Sequence, residues 1–114
     1  MPNIKYVKHN SVRFKSVEDR KAGTRMFVKF FDTIGKEDTG KEMEGHIILN
    51  NTSNLQESIV LTFWKTKEDM DMFYSPKNKA LASLVERAMS LFDRAPQRTD
   101  YIVSEISFMK VESC

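Results

Sequence analysis

Few residues in this chain combine a reactive type with a telling position, and none has a spacing that is diagnostic by itself. Asn10 falls on the mostly apolar phase of an alternating segment. An amide there is costly to bury unless hydrogen-bonded, so it either bonds backbone at a strand end or serves a site. His46 stands in a second alternating segment, on the face opposite Ile47. Its imidazole titrates near neutral pH and could accept a proton, although a rim residue is the commoner outcome for such a histidine. Trp64 ends an apolar segment and reads first as core. Phe73 and Tyr74 lie where a helical pattern breaks, where packing is again the plainer role. Lys77 and Lys79 follow that break and could meet an anion beside a helix N-terminus, but a solvated helix face explains them as well.

The chemistry that is missing narrows the field. There is no HxxxH, CxxC or carboxylate cluster with metal-ligand spacing. There is no nucleophile elbow and no glycine-rich phosphate loop. The one cysteine, Cys114, is the last residue and excludes an internal disulfide. The methionines read as adaptable core filler. Eighteen basic and 16 acidic residues leave a formal charge of +2. The signs are interspersed, without the basic block that marks nucleic-acid binding. No stretch approaches a membrane span, and MPNIKYVKHN has no apolar signal region. The expectation is a cytoplasmic protein with neither a membrane nor a nucleic acid as partner.

The elements that would position these residues can be read in order. Ile4, Tyr6, Val12 and Phe14 share one phase of a strand, interrupted by Lys8 and Asn10. Ser16 can cap a helix with Glu18 and Asp19 in its first turn, where negative charge suits the dipole. That helix carries Ala22, Met26, Phe27, Phe30 and Ile34, and Gly35 is a plausible stop. Residues 36–42 are polar loop. Met43 to Leu49 alternates, with Met43, Gly45, Ile47 and Leu49 on one side. A polar connection leads to Ser58–Thr66, whose β-branched and aromatic residues suit a strand with two apolar faces.

Thr66-Lys-Glu-Asp then resembles a capping box with Asp69 at N3. Ser75-Pro76 reads as a second N-cap with proline at N1, so the helix breaks and restarts. The second piece carries the stripe Leu81, Leu84, Val85, Ala88 and Phe92. Residues 94–100 read as a turn around Pro96, and Tyr101 to Val111 as the last strand.

With 114 residues this is one domain, 1–114, large enough to bury its own core. The order strand, helix, strand, strand, helix, strand is the ferredoxin-like α+β pattern with a four-stranded antiparallel sheet. Right-handed crossovers put both helices on one face. Several strands are apolar on both faces, so the other face needs cover. A second subunit in a homodimer is the simplest cover; a bound apolar ligand is the alternative, and the two are compatible.

The run LTFWKTKEDMDMF, with the ending from Ser104 to Lys110, is similar to the antibiotic biosynthesis monooxygenase superfamily of dimeric α+β barrels. Within it the chain resembles most the haem-degrading monooxygenases. That resemblance implies a site asparagine at Asn10, which matches. It implies a helix tryptophan where this chain has Phe73, and a haem-ligating histidine where it has Ser83. A serine hydroxyl is a poor haem-iron ligand beside imidazole. Other members of the superfamily oxidise polycyclic aromatics without metal or cofactor; the bound phenol or quinol itself reacts with oxygen. Asn10 and His46 are then the catalytic candidates, and Trp64, Phe73, Tyr74 and Ser83 the pocket.

The leading expectation is an oxygenase acting on an aromatic small molecule, with no tightly held cofactor. The alternatives are a haem or porphyrin binder, with or without degradation, and a non-enzymatic dimeric module.

Overall fold

The computed structural model describes residues 3–34 and 42–107. The expected Gly35 stop, the loop that follows it and the FMK ending lie outside them. The chain runs β1 (Tyr6–Arg13), α1 (Val17–Ile34), β2 (Met43–Asn50), β3 (Glu57–Trp64), α2 (Lys67–Phe73), α3 (Lys79–Ala88), a short 3-10 turn (Met89–Leu91) and β4 (Gln97–Ile102). The strands form one antiparallel sheet in the order β2-β3-β1-β4. This is the expected ferredoxin-like α+β fold, with the helices packed on one face.

Local chemistry sets most boundaries. The Ser16 hydroxyl accepts from the Asp19 N–H at 3.0 Å and starts α1. Along α1 the buried residues are Gly23, Phe27, Phe30 and Ile34, a clean helical stripe. The inward residue of the first turns is thus Gly23 rather than Ala22. The Thr66 hydroxyl accepts from the Asp69 N–H at 3.1 Å and caps α2 as expected.

The restart of the helix is different. Asn78, not Ser75, caps α3. Its Oδ1 accepts from the Leu81 N–H at 3.1 Å, while its Nδ2 donates to the Phe73 carbonyl at 2.7 Å. One buried side chain therefore satisfies orphan groups of both helices, and Ser75-Pro76-Lys77 becomes a turn. α3 ends at Ala88, so Phe92 enters the core from extended chain, where Phe14 and Phe92 form a bridge.

Two strand expectations also change. Between Met43 and Gly45 the β2–β3 register shifts. This bulge turns Met43 towards the helix-side core, while Gly45, Ile47 and Leu49 stay on the other face. β4 begins at Gln97, so residues 97–100 are strand and not turn. They are polar and exposed, as suits an edge strand, and an apolar alternation could not reveal them.

The core lies between sheet and helices. Val12, Phe14, Val60 and Trp64 from the sheet meet Phe27, Phe30, Met70, Phe73, Leu84 and Ala88 from the helices, all buried. Burial in β3 alternates strictly: Ser58, Val60, Thr62 and Trp64 are buried, Ile59, Leu61 and Phe63 only partly. On the far face Ile47, Leu49 and Tyr101 remain 43, 45 and 52% exposed. No described helix is long and apolar enough to cross a membrane.

Candidate active site

Asn10 is buried on the helix side of β1, and all its polar atoms are used. Its Nδ2 donates to the Val60 carbonyl at 2.9 Å and to the Tyr74 hydroxyl at 3.1 Å. Its Oδ1 accepts from Arg98 Nε at 3.1 Å. The Tyr74 hydroxyl lies 2.8 Å from Thr62 Oγ1, which in turn accepts from Trp64 Nε1 at 2.9 Å. A polar line thus runs Arg98–Asn10–Tyr74–Thr62–Trp64 through an apolar interior. Buried polar groups persist only when paired in this way.

The strands place this line. Asn10 faces Val60 on one neighbour and Arg98 on the other. Two residues along the same face, Lys8 faces Thr62 and Asp100, and Lys8 Nζ pairs with the Asp100 carboxylate at 2.5 Å. Tyr74 comes from the break between α2 and α3. Lys8 Nζ lies 4.8 Å and the Arg98 guanidinium 5.0 Å from its ring centre, both within cation–π range. Burial pushes the Tyr74 phenol pKa up, against the opposing pull of hydrogen bonds from Thr62 and Asn10 and the charge of Arg98. Tyr74 is therefore a neutral phenol at ordinary pH, able to donate or accept.

Asn10, Tyr74 and Arg98 are the polar groups at a cavity otherwise walled by apolar side chains, among them Phe27, Phe30, Phe31, Val60, Phe73 and Leu84. Its free space is about 50 Å³, enough for a few water molecules. An outer groove of about 370 Å³ adjoins it and shares Tyr74, Leu81, Val85 and Arg98.

The structure brings Asn10, Phe73 and Tyr74 together and leaves three other candidates apart. Trp64 is 1% exposed, donates to Thr62 and meets the Tyr74 ring edge-on at 6.5 Å between ring centres. It lies outside the wall of this cavity and lines, with Phe73, a separate groove of about 540 Å³ beside α2. His46 stacks on Phe31 of α1, with ring centres 4.1 Å apart, and also lies outside the cavity wall. Burial against α1 lowers its pKa, partly offset by Asp32. Ser83 is exposed and lines a separate groove between α1 and α3 with Met26, Lys29 and Arg87. The reason is helical phase: Leu81, Leu84, Val85 and Ala88 point inwards, and position 83 falls on the opposite side.

Arg98 and Thr62 are the site residues that sequence reasoning missed. Thr62 sat in the alternation of β3 and looked like an ordinary strand residue. Arg98 sat in a segment read as turn. The alternation of Arg98 and Asp100, opposite Asn10 and Lys8, was the available signal.

These residues do not fit a resident haem. Among the described residues no histidine, cysteine or methionine lines the cavity. The oxygen donor there, Tyr74, is held neutral by burial. His9 lies on the far face of the sheet, edge-on to Tyr101. Among the described residues no three His, Cys, Asp or Glu side chains are grouped to hold a metal.

Comparison with known proteins bears on the fold. No protein-family model and no curated protein matches the sequence. Solved structures do. A monooxygenase from the gene ActVA-Orf6 of Streptomyces coelicolor, in complex with nanaomycin D, superposes with TM-score 0.79 at 10% identity over 96% of each chain. SnoaB, a cofactor-independent oxygenase from Streptomyces nogalater, gives 0.68 at 7% identity, over 90% of this chain and 95% of that one. A dimeric ferredoxin-like protein from an uncultured marine organism gives 0.69 at 15% identity over 94% of each. The chain has the fold of the antibiotic biosynthesis monooxygenases and of dimeric ferredoxin-like proteins.

Proposed function

We propose that this protein is an oxygenase of the antibiotic biosynthesis monooxygenase type, oxidising an electron-rich aromatic molecule between sheet and helices without a tightly held cofactor. The observation that supports it is the hydrogen-bonded line through Asn10, Tyr74 and Thr62 ending at an apolar cavity. In such a reaction the substrate supplies the electrons. A ring CH2 flanked by phenols becomes a carbonyl, one oxygen atom of O2 joins the carbon, and the other leaves as water. Tyr74, neutral and hydrogen-bonded, is placed to hold a substrate oxygen and exchange its proton; Asn10 orients Tyr74. The apolar walls exclude water, which strengthens these contacts.

The test is oxygen uptake by purified protein with anthrones and naphthoquinols. Turnover should fall at least tenfold in Tyr74→Phe and Asn10→Ala if the proton contact supports catalysis. No uptake by wild type with any such substrate overturns the reading.

The small inner space favours a second reading, a non-enzymatic binding module. It predicts ligand binding with no oxygen uptake.

The same proposal includes a homodimer through the far face of the sheet. Ile47, Leu49, Leu61, Phe63 and Tyr101 lie there, and the marine ferredoxin-like relative is described as dimeric. Sedimentation equilibrium should give twice 13.3 kDa; a clean monomer at micromolar concentration excludes it.

A further inference from the structure

We propose that the ligand of this site carries a negative charge, and that the guanidinium of Arg98 at the cavity mouth is the group that selects it. This deepens the oxygenase reading and rests on the same cavity. Among the described residues Arg98 is the one charged residue on the cavity wall, and it also lines the outer groove. It therefore stands where inner and outer spaces meet.

Its position is held from two sides. Nε donates to Asn10 Oδ1 at 3.1 Å, and the guanidinium lies over the Tyr74 ring at 5.0 Å. An arginine placed by its Nε and by an aromatic face keeps its terminal N–H groups for a ligand, in a geometry that matches a carboxylate. Among the described residues no hydrogen bond occupies those terminal nitrogens, and no ion pair joins Arg98 to a carboxylate. The acid beside it on β4, Asp100, is paired with Lys8 instead. Glu86, the carboxylate of the outer groove, forms no ion pair with it either.

The space sets the shape of the ligand. The inner cavity of about 50 Å³ is far below the roughly 300 Å³ of a small ligand pocket. The adjoining groove of about 370 Å³ brings the combined site into that range. A ring entering between Leu81, Val85 and Tyr74 would meet aromatic walls inside and the guanidinium at the rim. The ligand class is an aromatic acid: a flat apolar body with a carboxylate, or with an equally acidic phenol, at one end.

The test compares 2-naphthoate with its neutral isostere 2-naphthamide by titration calorimetry on the whole protein. Chemical shifts of the Val60 and Leu84 methyl groups report whether the ring enters the cavity. Wild type should bind the acid about ten- to a hundredfold more tightly, the range of a hydrogen bond to a charged group. Arg98→Met, which keeps the apolar stem, should remove that preference, so that acid and amide bind alike. Arg98→Lys should restore only part of it, since the fork is lost. Equal binding of acid and amide by wild type, or an acid preference that survives in Arg98→Met, overturns the proposal and leaves the cavity reading standing. If neither compound shifts the Val60 and Leu84 signals, both readings fail.

Discussion

The Asn10 amide donates to the Tyr74 hydroxyl across 3.1 Å, joining the first strand to the helix break 64 residues later. The contact links the sheet to a helical segment with few other polar ties to it. Tyr74→Phe removes the hydroxyl and leaves the Asn10 N–H and the Thr62 hydroxyl without that partner. Stability should fall by about 1–3 kcal/mol, measured by urea denaturation.

The same phenol sets an alkaline signature. Its folded pKa is raised above the ordinary 10.0, chiefly by burial. The folded state therefore keeps the proton that the unfolded state loses. This contribution is fully present below pH 10.0 and is lost as pH rises through the folded value. Tyr74 should ionise above pH 10.0 in an ultraviolet titration, and Tyr74→Phe should remove that phase. A phenolate appearing below pH 10.0 and absent from Tyr74→Phe contradicts the burial argument.

Gly23 faces the ring of Phe14. A Cβ at that position would sit 2.3 Å from the Phe14 ring edge, and Phe14 is fully buried. Gly→Ala inside a helix normally stabilises by about 1 kcal/mol. Here overpacking of about 1–3 kcal/mol should outweigh it. Gly23→Ala should lower the melting temperature, whereas Gly23→Ala combined with Phe14→Leu should recover part of the loss.

Trp64 packs on Phe73, with ring centres 5.2 Å apart, and is 1% exposed. Trp64→Ala should cost about 3–5 kcal/mol. Because the indole does not line the cavity, a fold-retaining variant such as Trp64→Phe should keep ligand affinity within a few-fold while losing stability. Lost binding in a stable Trp64→Phe protein would return the indole to the site.

The resemblance to haem-degrading enzymes implies a haem-ligating histidine at position 83, where Ser83 is exposed on the outer side of α3. Ser83→His therefore places its imidazole outside the cavity. The variant should differ from wild type by no more than about 0.5 kcal/mol, as surface changes usually do. Titrated with haem, it should show no new histidine-ligated spectrum.

His46 should titrate below 6.5, because packing against α1 penalises the charged ring. Protonation is then easier in the unfolded chain. Stability is lost as pH falls through 6.5 towards the folded value. Nuclear magnetic resonance of the imidazole C–H should give a midpoint below 6.5, and Asp32→Asn should lower it further. A midpoint above 6.5 would mean that Asp32, not burial, dominates.

Most elements were legible because they carry a local signal; β4, polar from Gln97 to Asp100, carries none. The Thr66–Asp69 cap, the two-faced strand ending at Trp64 and the stripe on α1 follow from residue type and periodicity alone. Asn10 was legible as a candidate because an amide on an apolar phase demands partners. Those partners were not legible. They come from Val60, Tyr74 and Arg98, 50, 64 and 88 residues away.

The sequence by itself determined the order of elements, the caps that start α1 and α2, and the apolar faces that must be covered. Only the tertiary structure decided which polar side chains meet. Pairing of β4 against β1 put Arg98 beside Asn10, and the helix break put Tyr74 above both. Helical phase turned Ser83 away, and stacking on Phe31 drew His46 aside. Periodicity reports which face of an element is apolar. It does not report which element packs against that face, and that choice assembled the site.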